Sequence, residues 1–303
     1  MPHFRAALAA MFVVCAEPVI AQQVSFSDPQ WKFAGDSTRV EMFDGRQTLR
    51  MENGYAVRPD IKFEDGTIDV DVMTSRRRSF AYISFRMQSD GEREEFYLRP
   101  HKSGLPDAAQ YAPVFQGQSA WQLYWGVRGT AAPEITPNVW QHLRIVVAGR
   151  RAAFFLGDTT KPFMVVPHLA RDPQAGYIAF ISQVPPGTAG SGPGARYSNL
   201  VLRPSVVAYD FANAPSEPAL PSGMIEKWEV GPAFAAPDTA VARSLLSGRA
   251  AFARCRSSQT VSSNCIASCQ CQKSRITSVS SHAFELPLIA PRLGDSTSAS
   301  ATG

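Results

Sequence analysis

Residues 79–101 read SFAYISFRMQSDGEREEFYLRPH, and this stretch decides the fold. Small and apolar side chains recur at every second position from Ala81 to Met87, and again at Phe96 and Leu98. Such alternation is typical of strands with one face toward a core. The Asp90-Gly91 pair between the two runs predicts a tight turn, so we expect an antiparallel pair. The opposite face then carries Phe80, Tyr82, Ser84, Arg86 and Gln88, followed by Glu95, Tyr97, Arg99 and His101.

The rest of the region from 26 to 202 reads as short strands between turn residues, with no helical period of useful length. The predicted strands are Gly66–Met73, Trp121–Val127, His142–Ala148, Arg151–Leu156, Phe163–Val166, Tyr177–Ser182 and Arg196–Leu202. Two packed antiparallel sheets would bury so many one-sided strands, although a closed barrel satisfies the same pattern. We therefore predict an all-β, two-sheet antiparallel sandwich of the jelly-roll type over residues 22–210.

The two ends of the chain differ from this body. Arg5, an apolar run over 6–16 and Val19-Ile20-Ala21 predict a secretory signal peptide over 1–21, cleaved after Ala21, and a periplasmic or secreted product. The apolar run is too short for a membrane span, which needs about 20 residues. A Pro-rich linker is expected at 211–223 and an incomplete β segment at 224–235. Residues 236–303 are rich in Ser, Ala, Arg and Thr, which predicts a disordered tail, and a frameshift could have produced it.

The net positive charge and four of the five cysteines lie in the tail. Residues 22–235 contain 22 Lys/Arg and 22 Asp/Glu, so the net charge of +4 comes from the tail. Nucleic-acid recognition by the body therefore lacks support, because it needs a concentrated basic face. Cys15 leaves with the signal peptide, and the other four cysteines, from Cys255 to Cys271, lie in the tail. Their spacing does not support a zinc site.

A longer block carries a resemblance to known proteins. It runs FYLRPHKSG over 96–104, then Pro106-Asp107, Gln110-Tyr111 and WQLY over 121–124. With the early strand FEDGTI over 63–68, it resembles bacterial secreted proteins of the concanavalin A-like lectin/glucanase superfamily. That superfamily includes laminin-G-like modules, legume lectins, glucanases and 3-keto-disaccharide hydrolase-like domains. The resemblance covers roughly residues 24–204 and implies the jelly roll, but it does not imply one activity.

The candidate site is the polar-aromatic face of three neighbouring predicted strands, which we expect to form a concave groove. Rings of this kind stack on sugars, while Arg, His and Gln reach sugar hydroxyls. An ordinary solvent-facing sheet surface would show the same residue types, and both interpretations stay open. Trp121 and Trp125 share parity with Leu123 and are predicted to be core. The predicted ligand-binding residues are Tyr82, Ser84, Arg86, Tyr97, Arg99, His101, Gln122 and Tyr124.

The acidic residues do not form a recognisable catalytic or metal site. In retaining glucanases of this superfamily the catalytic strand carries Glu-x-Asp-x-x-Glu, and the chain lacks that pattern. Asp69 and Asp71 are predicted to be solvated, and Glu92, Glu94 and Glu95 to be surface charge. No metal site is predicted; calcium is a weaker hypothesis, for which the candidate ligands are Asp60, Asp65, Asp107 and Asp158.

The sequence therefore predicts an exported carbohydrate-binding sandwich without a cofactor. The first alternative is a glycoside hydrolase of the 3-keto-disaccharide hydrolase-like kind. The second is an adhesion or scaffold module that binds protein through the same face.

Overall fold

The computed structural model describes residues 21–35 and 37–214, and the backbone of two further segments, 227–230 and 253–256. The predicted signal peptide and nearly all of the predicted tail lie outside the described residues. In the described part of the chain, no helix is long and apolar enough to cross a membrane.

The described residues form strands and three short 3-10 helices, at Pro100–Lys102, Trp121–Tyr124 and Phe211–Asn213. The strands are β1 Gln22–Val24, β2 Lys32–Ala34, β3 Arg39–Phe43, β4 Arg46–Met51, β5 Gly54–Phe63, β6 Gly66–Thr74, β7 Phe80–Ser89, β8 Glu92–Leu98, β9 Ala109–Tyr111, β10 Val114–Phe115, β11 Gln118–Ser119, β12 Thr130–Ala131, β13 Gln141–Ala148, β14 Arg151–Leu156, β15 Met164–Val166, β16 Gly176–Gln183, β17 Ala195–Pro204, β18 Lys227–Val230 and β19 Ala253–Arg256.

Two antiparallel sheets make up the sandwich. Sheet A runs in the order β15-β14-β13-β6-β17-β4-β3, with β1 beside β17. Sheet B runs in the order β11-β10-β8-β7-β16-β5-β2, with β9 beside β8 and β12 beside β9. The predicted two-sheet antiparallel sandwich is thus confirmed, and the described strands of the two sheets do not close into the alternative barrel. The backbone of β18 pairs separately with that of β19, so one strand falls within the predicted incomplete segment and the other within the predicted tail.

The core lies between the sheets and is built from the alternating apolar rows. Ile68 and Val70 of β6 face Ile83 and Phe85 of β7 across this layer, and all four are at most 1% exposed. Burial of a large apolar side chain contributes about 1.5–3 kcal/mol. After β17 the chain turns back over the outside of sheet A, where Phe211 packs on β13 and β14.

The strand predicted over Trp121–Val127 is wrong. Trp121–Tyr124 is a 3-10 helix instead, followed by turns up to β12. Trp121 and Trp125, predicted to be core, are 43% and 54% exposed. Only Tyr124 of this helix is buried. In a 3-10 helix three residues make one turn, so residues two apart do not share a face. The alternation expected of a strand therefore predicts the wrong residues to be buried here.

Candidate functional site: a polar-aromatic face on sheet B

Three strands place the candidate residues in register on the outside of sheet B. Tyr82 of β7 lies opposite Tyr97 of β8, and Tyr97 lies opposite Gln110 of β9. Their neighbours in sequence point into the core, so these three side chains share the outer face. Cross-strand neighbours of this kind are close enough to interact directly. We call this surface the polar-aromatic face; its members are Phe80, Tyr82, Ser84, Glu95, Tyr97, Arg99, His101 and Gln110.

A buried hydrogen-bonded layer forms the base of the polar-aromatic face. The Tyr97 hydroxyl donates to Gln110 Oε1 at 2.6 Å and accepts from Arg99 Nη2 at 2.6 Å. Arg99 Nη1 donates to Asp107 Oδ2 at 2.6 Å. Tyr97, Arg99 and Gln110 are 3%, 8% and 0% exposed, and burial raises the pKa of Tyr97 to about 12. The layer is therefore satisfied by its own members and holds its side chains in fixed positions.

Partly exposed rings lie above this layer. Phe80 and Tyr82 stack with centroids 6.1 Å apart and planes at 22°, and the His101 ring meets the edge of Phe80 at 5.6 Å. The Tyr82 hydroxyl donates to the exposed side chain of Gln183 at 3.0 Å. This part of the surface offers partly exposed aromatic rings and hydrogen-bonding groups side by side.

His101 is uncharged at neutral pH. Burial lowers the pKa of its imidazole, and the positive charges of Arg78, Arg99 and Lys102 lower it further. Its Nδ1 is buried and makes no hydrogen bond in the described structure. A neutral imidazole can donate from one ring nitrogen and accept at the other.

A carboxylate is built into the same face beside the rings. Glu95 is 2% exposed, and its Oε2 accepts from Ser84 Oγ at 3.1 Å and from Arg93 Nε at 2.8 Å. The prediction that Glu95 is surface charge is therefore wrong, because Ser84 and Arg93 pair with it. Ser84 belongs to the face, as predicted, but its hydroxyl is fully buried.

Arg86 lies apart from the polar-aromatic face. Met87 pairs with Tyr177 while Ser84 pairs with Ala179, so β7 carries one residue more than β16 between these pairs. Arg86 takes a φ of 49° in this bulge, and the alternation of side chains shifts there. Met87 in consequence packs on the outer side with Ala179.

The Arg86 side chain instead links two turns through hydrogen bonds. Its Nε donates to Glu64 O at 2.7 Å, and its Nη2 donates to Asp65 Oδ1 at 2.5 Å and to Gly149 O at 2.7 Å. Glu64 and Asp65 form the turn before β6, and Gly149 forms the turn after β13. We interpret Arg86 as a structural residue.

The third predicted contributor to the site is rearranged. Gln122 is exposed on the 3-10 helix, and the backbone carbonyl next to it, Trp121 O, accepts from Gln110 Nε2 at 2.6 Å. Tyr124 is 7% exposed and packs edge-on against Tyr111 at 5.1 Å, toward the core. The structure thus brings Tyr82, Ser84, Tyr97, Arg99 and His101 together, places Gln122 at the border, and separates Arg86 and Tyr124 from them.

Sequence reasoning missed Gln110 and Gln183 as members or neighbours of the site, and it placed Phe80 on the outer face without naming it as a ligand-binding residue. Phe80 could have been included, because it shares parity with Tyr82. Gln110 sits in a strand of three residues, too short for a visible period, and Gln183 lies 101 residues from its partner Tyr82.

The other acidic residues are paired within the structure. Glu94 is fully buried on the inner side, where Tyr111 Oη donates to it at 2.5 Å, and burial raises its pKa. Asp69 is 2% exposed on the outside of sheet A, beside Arg144 and His142. The predictions that Glu94 is surface charge and that Asp69 is solvated are wrong, because partners distant in sequence cover both.

The described residues contain no group of three His, Cys, Asp or Glu side chains placed to hold a metal ion. The four aspartates proposed as calcium ligands are held separately: their partners are Arg58 for Asp60, Arg86 for Asp65, Arg99 and Lys102 for Asp107, and Thr160 for Asp158.

Comparison with known proteins gives similarity in fold only. No family model and no curated protein sequence matches the chain. Among solved structures, the chain is similar to carbohydrate binding module CBM66 from Bacillus subtilis, with 13% identity and a TM-score of 0.42 over 56% of this chain and 93% of that one. It is similar to a Bacillus licheniformis beta-glucanase, with 10% identity and a TM-score of 0.44 over 61% and 97%. A structure described as a native glycosidic hydrolase gives 13% identity and a TM-score of 0.45 over 62% and 98%. What the chain binds has to be argued from its side chains.

Proposed function

We propose that the chain is a carbohydrate-binding protein and that a glycan lies on the polar-aromatic face. The observation that carries the proposal is the stacked, partly exposed pair of Phe80 and Tyr82, with His101 at its edge, above a buried hydrogen-bonded layer. Partly exposed aromatic rings next to directional polar groups suit a pyranose ring, which has C–H faces and an equatorial rim of hydroxyls.

The buried layer supports this proposal through rigidity. Because Tyr97, Arg99 and Gln110 are held by one another, the groups above them lose little conformational freedom when a ligand binds. The Trp121 backbone carbonyl accepts from Gln110 of this layer, and the Trp121 side chain is 43% exposed. The rigid base and exposed rings together favour a binding surface over a merely solvated sheet face.

The proposal is tested by titrating the full chain with neutral polysaccharides such as dextran, laminarin and barley β-glucan in a calorimeter. Tyr82→Ala removes one ring of the stacked pair and is expected to weaken binding about tenfold, which corresponds to about 1.4 kcal/mol. Phe33→Ala is the matched control, since Phe33 is a 41% exposed ring on β2, at the opposite edge of sheet B. Equal affinity in wild type and Tyr82→Ala would refute the assignment of the face.

The same samples separate the two alternatives. A glycoside hydrolase would release reducing sugar, and Glu95→Gln would abolish that release, because Glu95 is the carboxylate built into the face. Glu94 cannot complete a catalytic pair with Glu95, because adjacent residues of a strand point to opposite sides of the sheet. A protein-binding module would instead hold a protein partner with an affinity that added sugar does not change.

We also propose that the chain is exported before it binds its glycan. The predicted cleavage after Ala21 leaves Gln22, the first residue of β1, as the new N-terminus. N-terminal sequencing of the protein recovered from a bacterial periplasm or medium tests this, and an intact Met1 in that fraction would contradict it.

A further inference from the structure

An open cleft lies at one end of the sandwich, where the chain crosses from sheet A to sheet B. Its walls are the end of β6, the loop 75–79 and the glycine-rich loop 184–194, and its volume is about 560 Å³. The lining includes Thr74, Arg76, Arg77, Gly190, Gly192 and Arg196. Three arginines and two glycines in one cleft are the residue types that hold anions, because guanidinium groups and glycine backbones both approach oxygen atoms closely.

The cleft has more positive than negative charge. Arg77 Nη1 donates to Glu52 Oε1 at 2.7 Å and Arg196 Nη2 donates to Glu41 Oε1 at 3.0 Å, so each has a carboxylate partner. Arg76 is exposed and forms no ion pair or hydrogen bond among the described residues. Glu52 also pairs with Arg50, and Glu41 also pairs with Arg39. Four guanidinium groups therefore share two carboxylates, and Arg76 adds a further positive charge.

The wall of the cleft holds polar atoms that the protein does not satisfy. Thr74 Oγ1 and Arg77 Nε are buried without a hydrogen-bond partner in the described structure. Buried polar atoms usually have a partner, so the exceptions indicate where an additional group could be accommodated. The loop packs closely here, because a Cβ at Gly190 would lie 2.9 Å from Arg77 Cγ.

The two loops that wall the cleft connect to one end of the polar-aromatic face. Loop 75–79 leads directly into Phe80, the first residue of β7, and loop 184–194 leaves directly after Gln183. Phe80 and Gln183 are register partners, so both loops start from the same end of the ring surface. Arg78 lies close enough to His101 for its charge to act on that imidazole. Met73 and Arg196 of the lining lie on the outer side of sheet A, so a chain-like ligand on the rings would reach the cleft by continuing around this end of the sandwich.

We infer that the cleft binds the acidic substituent, a carboxylate or a sulfate ester, of a glycan whose neutral part lies on the polar-aromatic face. Arg76 supplies the uncompensated charge, and Arg77 and Arg196 form the fixed walls. The inference depends on the proposed function and adds the class of ligand to it: an acidic rather than a neutral polysaccharide.

The test compares polygalacturonate, dextran sulfate and dextran as probes of carboxylate, sulfate ester and neutral glycan, with polyphosphate as an acidic polymer that is not a glycan. The full chain, Arg76→Ala and Lys32→Ala are titrated with each. Lys32→Ala is the matched control, because it also removes one exposed positive charge, from β2 at the far edge of sheet B.

Arg76→Ala is expected to weaken binding of polygalacturonate or dextran sulfate about tenfold and to leave the binding of dextran unchanged, whereas Lys32→Ala changes neither. Whichever acidic polymer binds more tightly identifies the substituent. An equal loss in Arg76→Ala and Lys32→Ala, or binding of polyphosphate as tight as that of the acidic glycans, would overturn the inference. Binding of the acidic glycans that depends on Tyr82 but not on Arg76 would overturn this inference alone, and absence of binding to every glycan would overturn the proposed function with it.

Discussion

Replacing Arg86 with methionine should cost the protein about 3 kcal/mol of stability. The Arg86 side chain is 1% exposed and donates three hydrogen bonds, to Glu64 O, Asp65 Oδ1 and Gly149 O. Hydrogen bonds that involve a charged group contribute about 1.5–3 kcal/mol each, and removing one partner of a buried ion pair costs about 3–5 kcal/mol. Asp65 is 38% exposed and can be hydrated after the change, so the lower end applies. Methionine keeps most of the buried stem, which isolates the loss of the guanidinium group.

The assay is urea unfolding followed by tryptophan fluorescence. With a slope of about 2–3 kcal/mol per molar urea for a domain of this size, a loss of 3 kcal/mol moves the midpoint by about 1–1.5 M. Arg39→Met is the control, because Arg39 is 57% exposed and its ion pair with Glu41 is worth about 0–1 kcal/mol. If Arg86→Met unfolds within about 0.3 M of wild type, Arg86 does not tie the turns together and its interpretation as a structural residue fails.

Three further changes test buried polar contacts. Tyr111→Phe removes a donor to the buried carboxylate of Glu94 and should cost about 2–3 kcal/mol in urea unfolding; a loss below about 1 kcal/mol would contradict the contact. Because burial lowers the pKa of His101, the unfolded chain takes up a proton more readily as the pH falls below about 6.5, and stability declines there. His101→Gln should therefore lose less stability than wild type between pH 7.5 and 5 in parallel unfolding curves, and identical slopes would refute this. Asp69→Asn should cost about 3 kcal/mol by thermal unfolding, whereas the exposed control Asp158→Asn should leave the midpoint nearly unchanged; equal shifts would show that the ion-pair cluster around Asp69 is not stabilising.

The fold could be predicted because most of the strands have regular alternation. Gly66–Met73 and the hairpin of β13 and β14 were placed within a residue or so, since one face of each is apolar and the turns contain glycine. Prediction failed at Arg86 because a bulge changes which face a side chain occupies, and no local pattern marks that position. It failed at Trp121–Tyr124 because alternating large side chains also fit a short 3-10 helix whose outer residues are exposed.

The sequence also did not reveal which acidic side chains are buried. Asp69 is covered because β13 and β17 bring His142, Arg144 and Arg203 beside it. Glu95, by contrast, has its partners within the hairpin, at Ser84 and Arg93, and strand register alone would have found them. Sequence reasoning therefore identifies a polar face well and identifies the accessible part of that face poorly.

The accessible part matters because it decides what the surface can recognise. Arg99, one of the residues predicted to reach sugar hydroxyls, donates its hydrogen bonds to Asp107, Tyr97 and Gln110. A ligand would have to break those contacts to use them, and their loss would offset the new hydrogen bonds. Glycan recognition of the proposed kind would then depend on the rings and on the few polar groups at their edges, which discriminate weakly between neutral sugars. Arg76, in the cleft at the end of the sandwich, has no such internal partner among the described residues, and for this reason the charge of the proposed ligand should contribute more to selectivity than the pattern of its hydroxyls.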